Sequence, residues 1–88
     1  MRIWKWTLQV TDLQAVQMPR GATVLSVQLQ HGMPQVWALV DETAPQEPFT
    51  FAAYGTGNPM PEVVDFGRFV GTYQLDDGAL VFHVFEQA

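Results

Sequence analysis

The chain has 88 residues, of which 48% are hydrophobic and 15% charged, and its formal net charge is −5. Its length fits one domain, its lack of cysteine excludes disulfide scaffolds and thiolate zinc sites, and its four basic residues are too few for direct nucleic-acid binding. No apolar run is long enough for a signal peptide or a membrane span, so we expect a cytoplasmic protein without membrane contact.

The first thirty residues predict three β-strands, because apolar and polar side chains alternate along them. The first strand covers residues 4–10, with four apolar side chains on one face: Trp4, Trp6, Leu8 and Val10. A weaker strand covers residues 14–18 and ends at the turn 19–21. The third strand, Thr23–Gln30, directs three side chains inward: Leu25, Val27 and Leu29.

The middle of the chain predicts one central strand and one short strand. Residues 35–40 are apolar on both faces, so we expect a central strand that is covered on both sides and has Trp37 in the core. Two prolines make residues 41–48 a loop. Residues 49–54 then form a short strand with Phe49 and Phe51 on one face.

The last third predicts a long irregular connection followed by a hairpin. Residues 55–67 contain several glycines and prolines, and residues 62–66 fit a single helical turn. Asp-Gly within residues 76–79 joins two apolar runs, 69–75 and Leu80–Glu86, which is a strong hairpin signal. Leu80–Glu86 is predicted to be buried on both faces.

About seven short strands with frequent turns predict an all-β fold, either a small sandwich or a partly open barrel. The connections are too short for parallel crossovers between neighbouring strands, so these should pair antiparallel. We therefore predict that residues 1–88 form a single β domain.

One short segment has the composition of a ligand-binding loop, which we call the glycine loop: Tyr54, Gly55, Thr56, Gly57 and Asn58. Glycines let backbone N–H groups approach an anion closely, and the two polar side chains add further hydrogen-bonding groups. The alternative is a turn that ends a strand and whose glycines adopt positive φ.

Aromatic and histidine residues provide the other candidates. Trp4 and Trp6 share a face of a predicted edge strand, where they either fill the core or form a protein interface. His83 stands between apolar neighbours and is predicted to be a hydrogen-bonded core residue, while a hydrolase relay of His83 with an Asp and a hydroxyl is a minor alternative. His31 lies in a turn, and two histidines without a third ligand do not predict a metal site.

Seven of the nine acidic residues fall into two loops and one turn. Asp41, Glu42 and Glu47 lie in one loop and Glu62 and Asp65 in another, either as solvated charges or as a contact surface for a basic partner. The two aspartates of the 76–79 turn are explained by the hairpin.

Two groups of segments show a family resemblance. The first comprises residues 25–28, Gly32 and residues 37–41, and the second comprises residues 54–59, 71–75 and 78–86. Together they resemble small uncharacterised proteins encoded by tailed bacteriophages, prophages and their bacterial hosts. The family pattern often has His where this chain has Asn58. The resemblance implies a genomic setting and supplies no catalytic residue.

These observations leave three hypotheses. The first is a non-enzymatic, cofactor-free protein that binds and blocks a host protein, including one of a defence system. The second is a small-molecule binder, such as a sponge for a nucleotide signal, with Arg20 or Arg68 as phosphate partners. The third is a structural component that oligomerises, for example as a homodimer paired through the first strand.

Overall fold

The computed structural model describes residues 1–61 and 66–87, which form seven antiparallel strands in two packed sheets. The strands are β1 (Arg2–Thr7), β2 (Leu13–Pro19), β3 (Thr23–Gln30), β4 (Met33–Val40), β5 (Gln46–Gly55), β6 (Arg68–Leu75) and β7 (Leu80–Glu86). The predicted all-β fold is confirmed, and the two open sheets make it a sandwich rather than a barrel.

The three-stranded sheet has the order β1-β4-β3 and the four-stranded sheet the order β2-β5-β7-β6. The β6–β7 pair is the predicted hairpin, β3 and β4 form a second hairpin, and β1 is an edge strand. The other pairs of consecutive strands lie in different sheets, except that β5 and β6 belong to the same sheet on either side of β7.

The core lies between the sheets and corrects two predictions about β4. The inner face of β4 contributes three fully buried side chains: Val36, Ala38 and Val40. Trp37 and Leu39 alternate with them and lie half-buried on the outer face, so this central strand is covered on one side only and Trp37 is not a core residue.

A β-bulge explains why one prediction for β3 was wrong, namely that Leu25 faces inward. The pairing with β4 shifts register between Val24 and Ser26, which adds one residue to β3. Val24 is therefore buried, whereas Leu25, predicted to face inward, is 47% exposed. Strict alternation cannot show such an extra residue, because a bulge reverses the faces of the residues beyond it.

β5 begins earlier than predicted, since Gln46–Gly55 includes Pro48. Its pairing with β7 starts only at Phe51, so at the level of Pro48 the strand is bonded to β2 alone. A proline is tolerated there because no second neighbour requires its missing N–H. The helical turn predicted at residues 62–66 lies outside the described residues except for its last one.

The two sheets come closest where β3 lies over β6. A Cβ on Gly71 would stand 2.4 Å from the carbonyl oxygen of Val27, so the two backbones pack without a side chain between them. Nearby, Arg68 Nη2 donates to the Val24 carbonyl at 2.8 Å and to Glu86 Oε1 at 2.9 Å. The Arg68 guanidinium therefore forms hydrogen bonds to both sheets at one edge of the sandwich.

Stability at alkaline pH should depend on Tyr73, whose ring is 3% exposed and packs on Phe82. Burial raises the pKa of the Tyr73 phenol, so the folded state holds this proton more tightly than the unfolded state. The resulting stabilisation is present below the unfolded-state pKa of about 10 and disappears as the pH rises through the folded-state pKa.

We therefore expect the free energy of unfolding of Tyr73→Phe to decline less than that of the wild type above about pH 10. Urea denaturation at a series of pH values measures the free energy of unfolding of both proteins. Parallel declines in the two proteins would contradict this assignment.

Candidate binding site at the loop end

Four connections lie at one end of the sandwich, which we call the loop end: residues 8–12, the His31–Gly32 turn, the glycine loop and the 76–79 turn. A cavity of about 440 Å³ lies between the glycine loop and the 76–79 turn. A second cleft of about 630 Å³ lies between the 76–79 turn and Gly32. Loops held together by a rigid sheet scaffold are a common location for binding sites.

The glycine loop is held closely to its own neighbours. The Thr56 amide donates to the Val81 carbonyl at 3.0 Å, and the Asn58 amide donates to the Gly55 carbonyl at 3.1 Å. Gly57 has a φ of 86°, which supports the interpretation as a turn that ends a strand. Two of the amides proposed to cradle an anion are therefore already bonded to backbone carbonyls.

His83 lies between two threonines on the outer face of the four-stranded sheet. Thr56 Oγ1 is 2.6 Å from its Nε2, and Thr72 Oγ1 is 3.1 Å from its Nδ1. The prediction that this histidine is hydrogen-bonded is confirmed, but it is half-exposed and not part of the core, because β7 directs it away from the other sheet. The group that orients the imidazole is a hydroxyl, whereas a hydrolase relay uses a carboxylate.

This arrangement predicts that His83 anchors the glycine loop. Thr56→Val should lower the free energy of unfolding by about 1 kcal/mol, because a partly exposed hydrogen bond is lost. It should also speed amide hydrogen exchange at Asn58, whereas Thr72→Val, which removes the bond on the other ring nitrogen, should not. Equal exchange in the two variants would contradict an anchoring role.

The two arginines proposed as phosphate partners lie away from the glycine loop. Arg20 pairs with Glu47 at 3.4 Å near the start of β5, roughly 30 Å from Gly55 at 3.3 Å per residue. Arg68 pairs with Glu86, whose register partner on β5 is four residues before Gly55. The structure thus does not bring either arginine to the glycine loop.

The second cleft at the loop end was not predicted from the sequence. We call it the hairpin cleft, and it is bordered by eight residues of the two hairpins: Leu29, Gly32, Gln74, Leu75, Asp76, Asp77, Gly78 and Leu80. Leu29 is 41% exposed and Leu80 is 44% exposed, although both belong to the inner faces of their strands. The core therefore opens to solvent between the hairpins.

Most acidic residues of the 41–48 segment have partners within the chain. Glu42 pairs with Arg2 at 3.5 Å, and Glu47 pairs with Arg20. The hydroxyl and amide of Thr43 donate to the Asp41 carboxylate and lower its pKa. In the described part of the chain, Asp76 and Asp77 make no ion pair. The second predicted acidic loop, with Glu62 and Asp65, lies outside the described residues.

Trp4 and Trp6 occupy the inner face of β1, opposite Ala38 and Val36. Trp6 packs against the core, and Trp4 remains 37% exposed at the open edge. The rings contact each other edge to face, with centroids 6.3 Å apart. Of the two residues predicted to form an interface, Trp4 is therefore the more accessible.

An aromatic cluster on the outer face of the four-stranded sheet holds Tyr54, the first residue of the glycine loop. Phe85 is its centre and contacts three rings edge to face: Tyr54 at 5.8 Å, Phe66 at 5.1 Å and Phe69 at 5.5 Å between centroids. Phe66 belongs to the connection between β5 and β6, so that connection is packed onto the outer face at this point.

Among residues 1–61 and 66–87, no three His, Asp or Glu side chains converge as metal ligands. No helix in this part of the chain is long and apolar enough to cross a membrane. A family model described as a domain of unknown function, DUF7352, matches residues 1–88. No curated protein and no solved structure is significantly similar to the chain.

Proposed function

We propose that this chain, which belongs to the DUF7352 family of domains of unknown function, is a non-enzymatic binding protein that acts on another protein. The observation that supports this proposal is the hairpin cleft. Two leucines that belong to the inner faces of their strands remain more than 40% exposed there, beside two carboxylates. Apolar side chains exposed together at a polar rim are typical of protein contact surfaces.

The resemblance to small proteins of tailed phages and prophages gives this proposal its setting. The partner is then a host protein in the bacterial cytoplasm, including a component of a defence system, and binding blocks it. A blocking protein needs a stable contact surface and no reactive group. A sandwich that presents several loops at one end provides such a surface.

Binding to one host protein predicts a complex of fixed composition. Affinity-tagged chain should capture a protein from bacterial lysate, and that protein, purified separately, should form a complex of defined mass in light scattering. Leu13→Ser, which changes a 63% exposed leucine outside the hairpin cleft, should leave the complex intact. A chain that forms only complexes with itself would instead support the structural hypothesis.

The second candidate function is binding of a small molecule beside the glycine loop. One observation favours it: cavities of about 360 and 440 Å³ lie on the two sides of this loop and share Gly55 and Asn58. A nucleotide bound there should raise the melting temperature in proportion to the logarithm of its concentration. If a large excess of nucleotide left the melting temperature unchanged and a protein partner were captured, the first candidate would be favoured.

A further inference from the structure

We propose that the hairpin cleft binds a segment of the partner in which an apolar side chain stands next to a lysine or arginine. This inference rests on the proposed binding function and specifies the chemistry of the partner. It combines two properties of the cleft: its apolar walls, and two carboxylates that form no ion pair with any residue of 1–61 and 66–87.

The apolar walls come from both sheets. Leu29 is a β3 residue of the three-stranded sheet, whereas Leu75 and Leu80 lie opposite each other in the β6–β7 hairpin. The cleft of about 630 Å³ is large enough for more than one aliphatic side chain. An apolar side chain inserted here would extend the existing core, because Leu29 and Leu80 belong to the inner faces of their strands.

The charges specify what accompanies that side chain. Asp76 and Asp77 border the cleft and have no cationic partner in the described part of the chain. A lysine or arginine beside the inserted side chain would meet both carboxylates. Charges at the rim of an interface speed association and select against acidic partners.

A second copy of this chain is disfavoured as the source of the cation. Its three arginines are ion-paired with Glu42, Glu47 and Glu86 within the same chain. Lys5 is the remaining basic side chain, and its ammonium already donates a hydrogen bond to the neutral side chain of Gln30. At a net charge of −5, two copies also repel each other. We therefore assign the cation to a different molecule.

The geometry of the turns allows the charges to be removed without changing the fold. Asp76 and Asp77 both have a φ of 52°, in the left-handed region that asparagine also tolerates. Asp76→Asn/Asp77→Asn therefore tests charge alone, and Asp12→Asn is the matched control outside the cleft. Leu29→Ser/Leu80→Ser tests the apolar walls, and Leu13→Ser is its control.

The probe is a fluorescein-labelled nonapeptide in which Leu alternates with Lys, measured by fluorescence anisotropy. We expect at least tenfold weaker binding to the leucine double variant, because two apolar contacts are lost. The asparagine double variant should bind several-fold more weakly at about 50 mM NaCl, and this difference should shrink at about 500 mM. The two controls should bind as the wild type does.

Two further peptides, with Glu in place of Lys or Ser in place of Leu, complete the test. Equal binding of all three peptides, or an unchanged affinity in both double variants, would overturn the assignment of the cleft. Capture of the host partner is a separate measurement. A partner retained equally by the wild type and by both double variants would leave the binding function in place and remove the cleft from it.

Discussion

Replacing Gly71 with alanine is expected to lower the free energy of unfolding by about 3 kcal/mol or more, enough to unfold a domain of ordinary stability at 37 °C. The added Cβ would stand 2.4 Å from the carbonyl oxygen and 2.9 Å from the amide nitrogen of Val27. Both are backbone atoms of β3, so neither can rotate away. The two sheets would have to separate along the edge where they come closest.

Gly55→Ala is the matched control, because neither of these two strand glycines has a φ in the left-handed region. Its Cβ would stand 2.7 Å from Nδ2 of Asn58, the end of a side chain that can turn outward. We expect a cost of about 1 kcal/mol. Urea denaturation of both variants gives the comparison, and similar costs would show that the sheet edges separate easily.

The sequence was sufficient to predict seven antiparallel strands, because period-two alternation and turn residues are local signals. It could not predict how the strands divide into sheets. That division depends on contacts between residues far apart in the chain, such as Gly71 with Val27. The bulges in β3 and β6 were also invisible, because one added residue leaves the local composition unchanged.

The candidate site shows the same limit. The hairpin cleft joins Leu29 to Leu80, two residues that are 51 positions apart in the sequence. Each was predicted to be an ordinary core position of its strand. The predicted turn already accounted for Asp76 and Asp77. No further feature of the sequence indicated that these two residues border a cleft. The sequence predicted an acidic contact surface at Asp41, Glu42 and Glu47, whose carboxylates are paired within the chain, or at Glu62 and Asp65, which lie outside the described residues.

One available signal could have identified the cleft. Leu29 and Leu80 each stand within two residues of a hairpin turn, where the ends of a small sandwich leave inner-face positions without cover. Large aliphatic side chains at such positions in two neighbouring hairpins expose apolar surface together, which is typical of a binding site. A search of both hairpin ends together would have selected the same residues that the structure brings into one cleft.

Phe85→Ala should have the second largest effect, a loss of about 2–3 kcal/mol of stability. This ring contacts Tyr54, Phe66 and Phe69, so its removal leaves three aromatic rings without their common partner. The loss of stability should be smaller than for truncation of a fully buried phenylalanine, because Phe85 is only half-buried. Urea denaturation measures the loss.

The structural consequence should reach the glycine loop, since Tyr54 begins this loop and Phe66 lies further along the same connection. Phe85→Ala should therefore speed amide hydrogen exchange at Thr56 and Asn58. Phe69→Ala is the control: its ring is 53% exposed and contacts the cluster only through Phe85, so we expect a cost below about 1 kcal/mol and unchanged exchange. If both variants left exchange unchanged, His83 and its threonines alone would position the loop. The aromatic cluster would then stabilise the sheet without influencing the loop end.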